Sequence, residues 1–275
     1  MMKKGIHDVP FLTKWSISQF LERAAIAGLE GIELNLQEKE GYLTVHSSLV
    51  EVRAIAEEVK GVGLEVPTLS TGLHNHYALT SENSDLRKRG EEIAFQMIEF
   101  AAELGASVIQ IVPGTVSRDT SYERAYERSQ ESLSLLASEA SAAGVTIAVE
   151  NVCNKFLPSP LEFARFLNEI NHPAVKAYFD TGNAMVTGHP EHFIEAIGNQ
   201  IAAVHVKDYR YESGDFAAPL SGDADWPGIM NALHEAEAGG YLISTPPAYQ
   251  HCPERLIEAA SADLTALLNL VEEGR

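Results

Sequence analysis

Cysteine is scarce in this chain: Cys153 and Cys252 are the two in 275 residues. That excludes a disulfide framework and predicts free thiols in a reducing cytoplasm. No apolar run is long enough to cross a bilayer, and the opening Met1-Met2-Lys3-Lys4-Gly5 has no apolar signal-peptide core behind it. The expectation is a cytoplasmic protein with no membrane partner. Positive charge is also in short supply, with 20 Lys and Arg against 39 Asp and Glu and a formal net charge of −19. Binding to a nucleic-acid backbone rests on clustered Lys and Arg, so a nucleic-acid partner is disfavoured. One small anionic substrate held by a local lysine is still compatible with this balance. Linkers, low-complexity blocks and charge runs are missing as well, so residues 1–275 read as one domain.

What is present is a repeat of strand and helix signals, in a chain whose 45% hydrophobic content is normal for a globular core. Gly5-Ile6-His7 reads as a short first strand, Gly31 to Leu36 as the second, Leu64 to Thr68 as the third and Ser107 to Val112 as the fourth. Val145 to Val149, Ala174 to Phe179, Ile201 to Val204 and Tyr241 to Ser244 supply four more. Helices fit between them. Ile17 to Ala27 has Ser16 or Ser18 as its cap, a second helix opens at Ser47 or Ser48, and Ser84 to Leu104 is a long one stopped by Gly105. Thr120 with Glu123 and Ser159-Pro160-Leu161-Glu162 are capping-box patterns opening two more. Glu191 to Ile197, Pro227 to Ala238 and Pro253 to Glu273 complete the set. Eight such units predict an α/β fold, a (β/α)8 TIM barrel. An open doubly wound sheet is the runner-up, and it would carry a Gly-rich phosphate fingerprint that this chain lacks.

Three of the strands end in metal-ligand chemistry: Glu150 closes the fifth, Asp180 the sixth and His205 the seventh. A parallel sheet brings all its strand ends to one side, so two carboxylates and an imidazole converge at one mouth. Such a set suits a divalent cation, Mn²⁺, Mg²⁺, Co²⁺ or Zn²⁺, without choosing among them. Around it, His74 or His76 after the third strand is a candidate for a substrate oxygen, with plain loop polarity as the alternative. Lys155 is a candidate for a substrate hydroxyl or phosphate, or a solvated lysine. Asn183 either binds substrate or fixes the turn after Asp180. Lys207 and Asp208 either steer His205 as an ion pair or cap a loop. Glu33 either orients mouth residues or is structural. Trp15 and Trp226 either wall the pocket or pack in the core, and Tyr122 and Tyr126 read as packing on an outer helix.

Glu150-Asn151-Val152-Cys153-Asn154-Lys155-Phe156, Phe179-Asp180-Thr181-Gly182-Asn183 and His205-Val206-Lys207-Asp208 together resemble the signature of the sugar-phosphate isomerase/epimerase family. This is the xylose-isomerase-like barrel superfamily, which includes tagatose 3-epimerases, pentulose-5-phosphate 3-epimerases and endonuclease IV. Gly31-Ile32-Glu33, Ala102 to Ala106, Gly222 to Trp226 and Leu242 to Tyr249 extend the resemblance over nearly the whole chain. It implies an isomerase or epimerase of a ketose or its phosphate. Glu150, Asp180 and His205 would be the metal ligands, and Glu150 would also be the catalytic base. Beside what the resemblance implies, His76, Lys155, Asn183 and Lys207 stand as candidate substrate contacts from their positions in the chain, and a homo-oligomer is left open. Endonuclease-like phosphodiester cleavage fits poorly with the acidic charge and the few candidate ligands.

The chain departs from the family at two places. The family's fourth ligand and second base, a Glu at the end of the eighth strand, aligns with Thr245. A Glu common before Gly222 is Ser221. Epimerisation through an enediolate exchanges protons on two faces, and only Glu150 is left of the expected pair. The expectation is weak 3-epimerase activity, one-base chemistry, or a member that binds a sugar without turning it over. Glu212, in the loop after the seventh strand, is a candidate to fill the missing place.

Overall fold

In the computed structural model, which describes residues 2–249 and 251–273, eight parallel strands close into a barrel. In chain order they are Lys3–His7, Gly31–Gln37, Glu65–Ser70, Val108–Ile111, Thr146–Glu150, Val175–Asp180, Ile201–Val206 and Tyr241–Ser244. Each pairs with its neighbours in sequence, and the first pairs with both the second and the eighth. Around them run α1 (Ile17–Ile26), α2 (Leu49–Gly61), α3 (Ser84–Leu104), α4 (Tyr122–Ala142), α5 (Pro160–Ile170), α6 (Thr181–Thr187), α7 (Pro190–Ile197), α8 (Trp226–Glu235) and α9 (Arg255–Glu273). No helix among the described residues is long and apolar enough to cross a membrane.

The strands alternate between two environments, as a pleated backbone requires. On the fifth strand Ile147 and Val149 join the large apolar core beneath the helices. Ala148, between them, belongs to a small separate cluster with Val108, Tyr178 and Ala203 inside the barrel. Continuing that inward alternation, Glu150 follows Ala148, Asp180 follows Tyr178, and His205 follows Ala203. The same step puts Glu33 and Asn35, Thr68 and Ser70, and Gln110 on inward positions. A small barrel is filled by side chains rather than hollow, and here the upper layer of that filling is polar.

Helix starts follow the cap chemistry closely. Ser16 with Gln19 and Ser48 with Glu51 form complete capping boxes. Two expected boxes are corrected. The cap of α4 is Ser121, not Thr120, because it is the Ser121 hydroxyl that meets the backbone N–H three residues on, at Arg124. At α5 Pro160 occupies the first turn, but Ser159 makes no side-chain cap bond. Glu162, which would have completed that box, instead accepts from the Tyr122 hydroxyl at 2.8 Å. Tyr122 and Tyr126 tie α4 to α5 in this way, Tyr126 through Glu169 at 2.8 Å. Two elements beyond the sequence reading are α6, which starts directly after Asp180, and a hairpin of Asp208–Arg210 with Asp215–Ala217.

The loop after the third strand is clamped onto α3. Gly90 allows the approach, since a Cβ there would run into the Tyr77 carbonyl. His74, 1% exposed, donates from Nε2 to the Gly90 carbonyl at 3.1 Å, so it supports the mouth from behind. Burial holds its imidazole neutral and lowers its pKa from 6.5 to about 4. The unfolded chain therefore takes up the extra proton between those values. The stabilisation is complete above pH 6.5 and is lost as pH falls towards 4. His74→Gln should give a shallower decline of Tm across that interval than the native protein. Identical slopes in the two proteins would contradict this account.

Candidate active site

Parallel pairing sets the three candidate ligands side by side. Asp180 is the register partner of His205, and Glu150 is that of Tyr178, two residues before Asp180. Their donor atoms lie within 4.8 Å of one another, and all three residues are buried. Each side chain has one polar atom tied back to the protein and one turned to the others. The Glu150 Oε2 accepts from the Gln110 amide, while Oε1 lies 3.0 Å from His205 Nδ1. The Asp180 Oδ1 accepts from the Asn183 backbone N–H at 2.8 Å, capping α6, while Oδ2 lies 3.7 Å from His205 Nδ1. His205 Nε2 lies 2.9 Å from Glu33 Oε1, which leaves Nδ1 facing the two carboxylates.

Glu33 is not at a strand end, because the second strand runs on to Gln37. It sits fully buried one layer below the mouth. Its Oε2 accepts from the Thr68 hydroxyl at 2.6 Å and the Tyr178 hydroxyl at 2.7 Å. Burial alone would raise its pKa, but His205, His7 and the Thr68 hydroxyl bring it down to about 2. Burial likewise opposes charge on His205, yet Glu33 and Glu150 outweigh it and raise its pKa to about 10. Glu150 is held below the usual carboxylate range, since His205, Lys207 and Gln110 overcome its burial. The cluster thus carries positive charge on His205 where a cation would otherwise balance the carboxylates.

Two carboxylate oxygens and an imidazole nitrogen, buried and turned toward one another, fit a divalent cation of the hard or borderline class, which would replace the contact between Glu150 Oε1 and His205 Nδ1 and share Asp180 Oδ2 with Lys207. Glu33 would then act as the group that fixes the His205 tautomer and ring orientation.

The cavity over this cluster measures about 270 Å³ and includes His7, Asn35, Ser70, Gln110, Asn183, Lys207 and Thr245 in its wall. Of the expected substrate contacts, Asn183 and Lys207 lie on this wall. Asn183 reaches the Asn151 carbonyl at 3.0 Å with its side chain, and Lys207 Nζ is 2.8 Å from Asp180 Oδ2. His76 and Lys155 are exposed and lie outside the cavity wall. Thr245 is on the wall, with its hydroxyl oxygen buried and without a hydrogen-bond partner. Ser221 is exposed beyond the hairpin, donating to the Ala218 carbonyl at 2.7 Å. Glu212 is exposed in the hairpin turn and does not reach the wall. Asp208 caps its loop, accepting from the backbone N–H of Tyr209 and Ala224 and from the Trp226 indole. Trp226 is thereby buried, and Trp15 stacks on Phe11, so neither walls the cavity. The sequence reading passed over His7, Asn35, Ser70 and Gln110. Their signal was a polar residue at alternate positions of otherwise apolar strands.

Comparison with known proteins agrees with this geometry. A family model described as a xylose isomerase-like TIM barrel matches residues 21–267. A putative L-ribulose-5-phosphate 3-epimerase of Escherichia coli K12 is 24% identical over 248 residues, covering 87% of each chain. An L-ribulose-5-phosphate 3-epimerase of Salmonella paratyphi A is 28% identical over 194 residues, covering 69% of this chain and 68% of its own. Among solved structures, that of an L-ribulose 3-epimerase superposes with a TM-score of 0.81 at 19% identity, covering 100% of this chain and 97% of its own.

Calorimetric titration with Mn²⁺ should give a binding heat that Asp180→Ala abolishes. Glu33→Gln, which keeps the shape but removes the charge beside His205, should weaken Mn²⁺ by ~10–100-fold. Both variants should keep the native far-UV circular dichroism. An unchanged Mn²⁺ isotherm in Asp180→Ala would remove this cluster as the metal site.

Proposed function

Since the chain belongs to the xylose isomerase-like TIM barrel family, we propose that it is a divalent-metal-dependent epimerase or isomerase of a small ketose or its phosphate. The observation that carries this reading is the convergence of Glu150, Asp180 and His205 at one mouth. The names of the two sequence relatives support the same chemistry.

The proton next to a ketose carbonyl is weakly acidic, so its removal needs a base held in place and a way to stabilise the charge that follows. Glu150 is the base: its carboxylate is ionised, and Gln110 fixes its orientation. A divalent cation, when bound, supplies Lewis-acid stabilisation of the negative charge developing on the substrate oxygens. Asn183 and Lys207 border the space where an enediolate would lie. Closure of the barrel puts the first strand across from the fifth, so the substrate face turned from Glu150 meets His7 and Thr245. A threonine hydroxyl has no useful basicity near neutral pH. Burial keeps His7 neutral, with its pKa lowered to about 4. Strong base chemistry is therefore confined to one face, which favours proton exchange and same-face isomerisation over inversion.

A second reading, a member that binds a sugar without turning it over, draws on Thr245 alone. Solvent deuterium separates the two. In D₂O with excess Mn²⁺, a panel of ketoses and ketose phosphates should include one that gains deuterium at the carbon next to the carbonyl. Glu150→Gln should slow that gain by ~10²–10⁴-fold. Thr245→Glu should add inversion at that carbon. Binding of a ketose with no deuterium uptake would establish the second reading instead.

A further inference from the structure

Building on the reading just given, we infer that the substrate is an uncharged ketose and not a phosphate ester, although the sequence relatives above are named for ribulose 5-phosphate.

The wall of the cavity is the reason. Phosphate recognition calls for an unpaired guanidinium or ammonium, or several converging N–H donors, in reach of the ester. Among the described residues on this wall there is no arginine, and Lys207 is the one lysine. Its ammonium is already committed: Nζ lies 2.8 Å from Asp180 Oδ2 and 4.5 Å from the centre of the Phe216 ring. The side chain is 16% exposed, against 0% for Asp180, so the pair is held inside the mouth. Lys155, the other cation that the motif brings near, stands exposed and outside the wall.

The rest of the wall has the chemistry of polyol recognition. Asn35, Ser70, Thr71, Asn75, Gln110 and Thr245 supply neutral hydroxyls and amides. Neutral groups of both donor and acceptor kind suit a chain of sugar hydroxyls, each of which also donates and accepts. The Thr245 hydroxyl oxygen is buried and unpartnered, and a sugar hydroxyl would satisfy it. The fixed charges work the same way. Glu150 and Asp180 line the cavity and Glu33 lies beneath it, so the mouth carries three carboxylates against Lys207 and His205. A divalent cation bound there would complete the balance of those carboxylates without leaving surplus positive charge, so an ester dianion gains no attraction in the mouth and a neutral sugar loses none.

The test uses the Mn²⁺-loaded protein with paired probes, each ketopentose and ketohexose beside its terminal phosphate. Deuterium uptake should be at least ~10-fold faster, as kcat/KM, with the free sugar. Calorimetric affinity for that sugar should be the same at low and at high salt, because a neutral ligand is not screened. Inorganic phosphate should not raise Tm. Asn75→Lys, which adds a cation at the exposed edge of the wall, should gain uptake with the phosphate relative to the native protein. Faster uptake with the phosphate, a salt-sensitive affinity for it, and a Tm raised by inorganic phosphate would overturn the inference while leaving the epimerase reading in place. No uptake with any member of either series would overturn both.

Discussion

A carboxylate with no exposure to solvent sits inside this barrel, and the rest of the site is arranged around its charge. Glu33 accepts hydrogen bonds from Thr68, Tyr178 and His205, on the third, sixth and seventh strands. An isolated carboxylate at that depth would cost many kcal/mol and would take up a proton. Here it stays ionised because a cationic imidazole lies 2.9 Å away and two hydroxyls fill its other oxygen. The hold is mutual. Glu33 sets which nitrogen of His205 is tied down, and thereby which one faces Glu150 and Asp180. Removing one member of so tightly satisfied a group would leave the others as buried charges without partners.

The pattern of strands and helices was readable from the sequence because the apolar runs and their stop signals are strong. Glycine after α3 and serine before α1 and α2 mark ends where backbone sterics and capping leave few alternatives. Glu150, Asp180 and His205 were readable for a different reason: parallel strands send all their ends the same way. His7, Asn35, Ser70 and Gln110 were not, because an inward polar residue on one strand gives no sign of which residues on the other strands it will meet. Only closure of the barrel sets these residues facing one another. Glu33 was legible as a group that orients mouth residues or is structural, but its place one layer below them comes from closure of the barrel, which the sequence does not show. The missed helix α6 shows a related limit. Its Asp180 cap is also the candidate ligand, so one residue carries two signals and the sequence reading took only one.

Strand order also divides the mouth. The fifth, sixth and seventh strands carry the charged donors. The first four and the eighth contribute His7, Asn35, Ser70, Gln110 and Thr245, all neutral. A molecule lying in the mouth therefore has an electrostatically demanding side and a hydrogen-bonding side. The second is built mostly from side chains on strands, which keeps its geometry stiff.

The way each candidate ligand is tied back has a numerical consequence. Gln110 occupies one oxygen of Glu150, the start of α6 occupies one oxygen of Asp180, and Glu33 occupies one nitrogen of His205. None of the three can bind through both of its atoms without breaking a bond that the fold supplies. A six-coordinate ion seated among them would receive one donor from each, which is half a coordination sphere. The other half would be furnished by whatever enters the mouth, so the ion's vacancies, rather than its attachments, would be the part of it that the barrel displays.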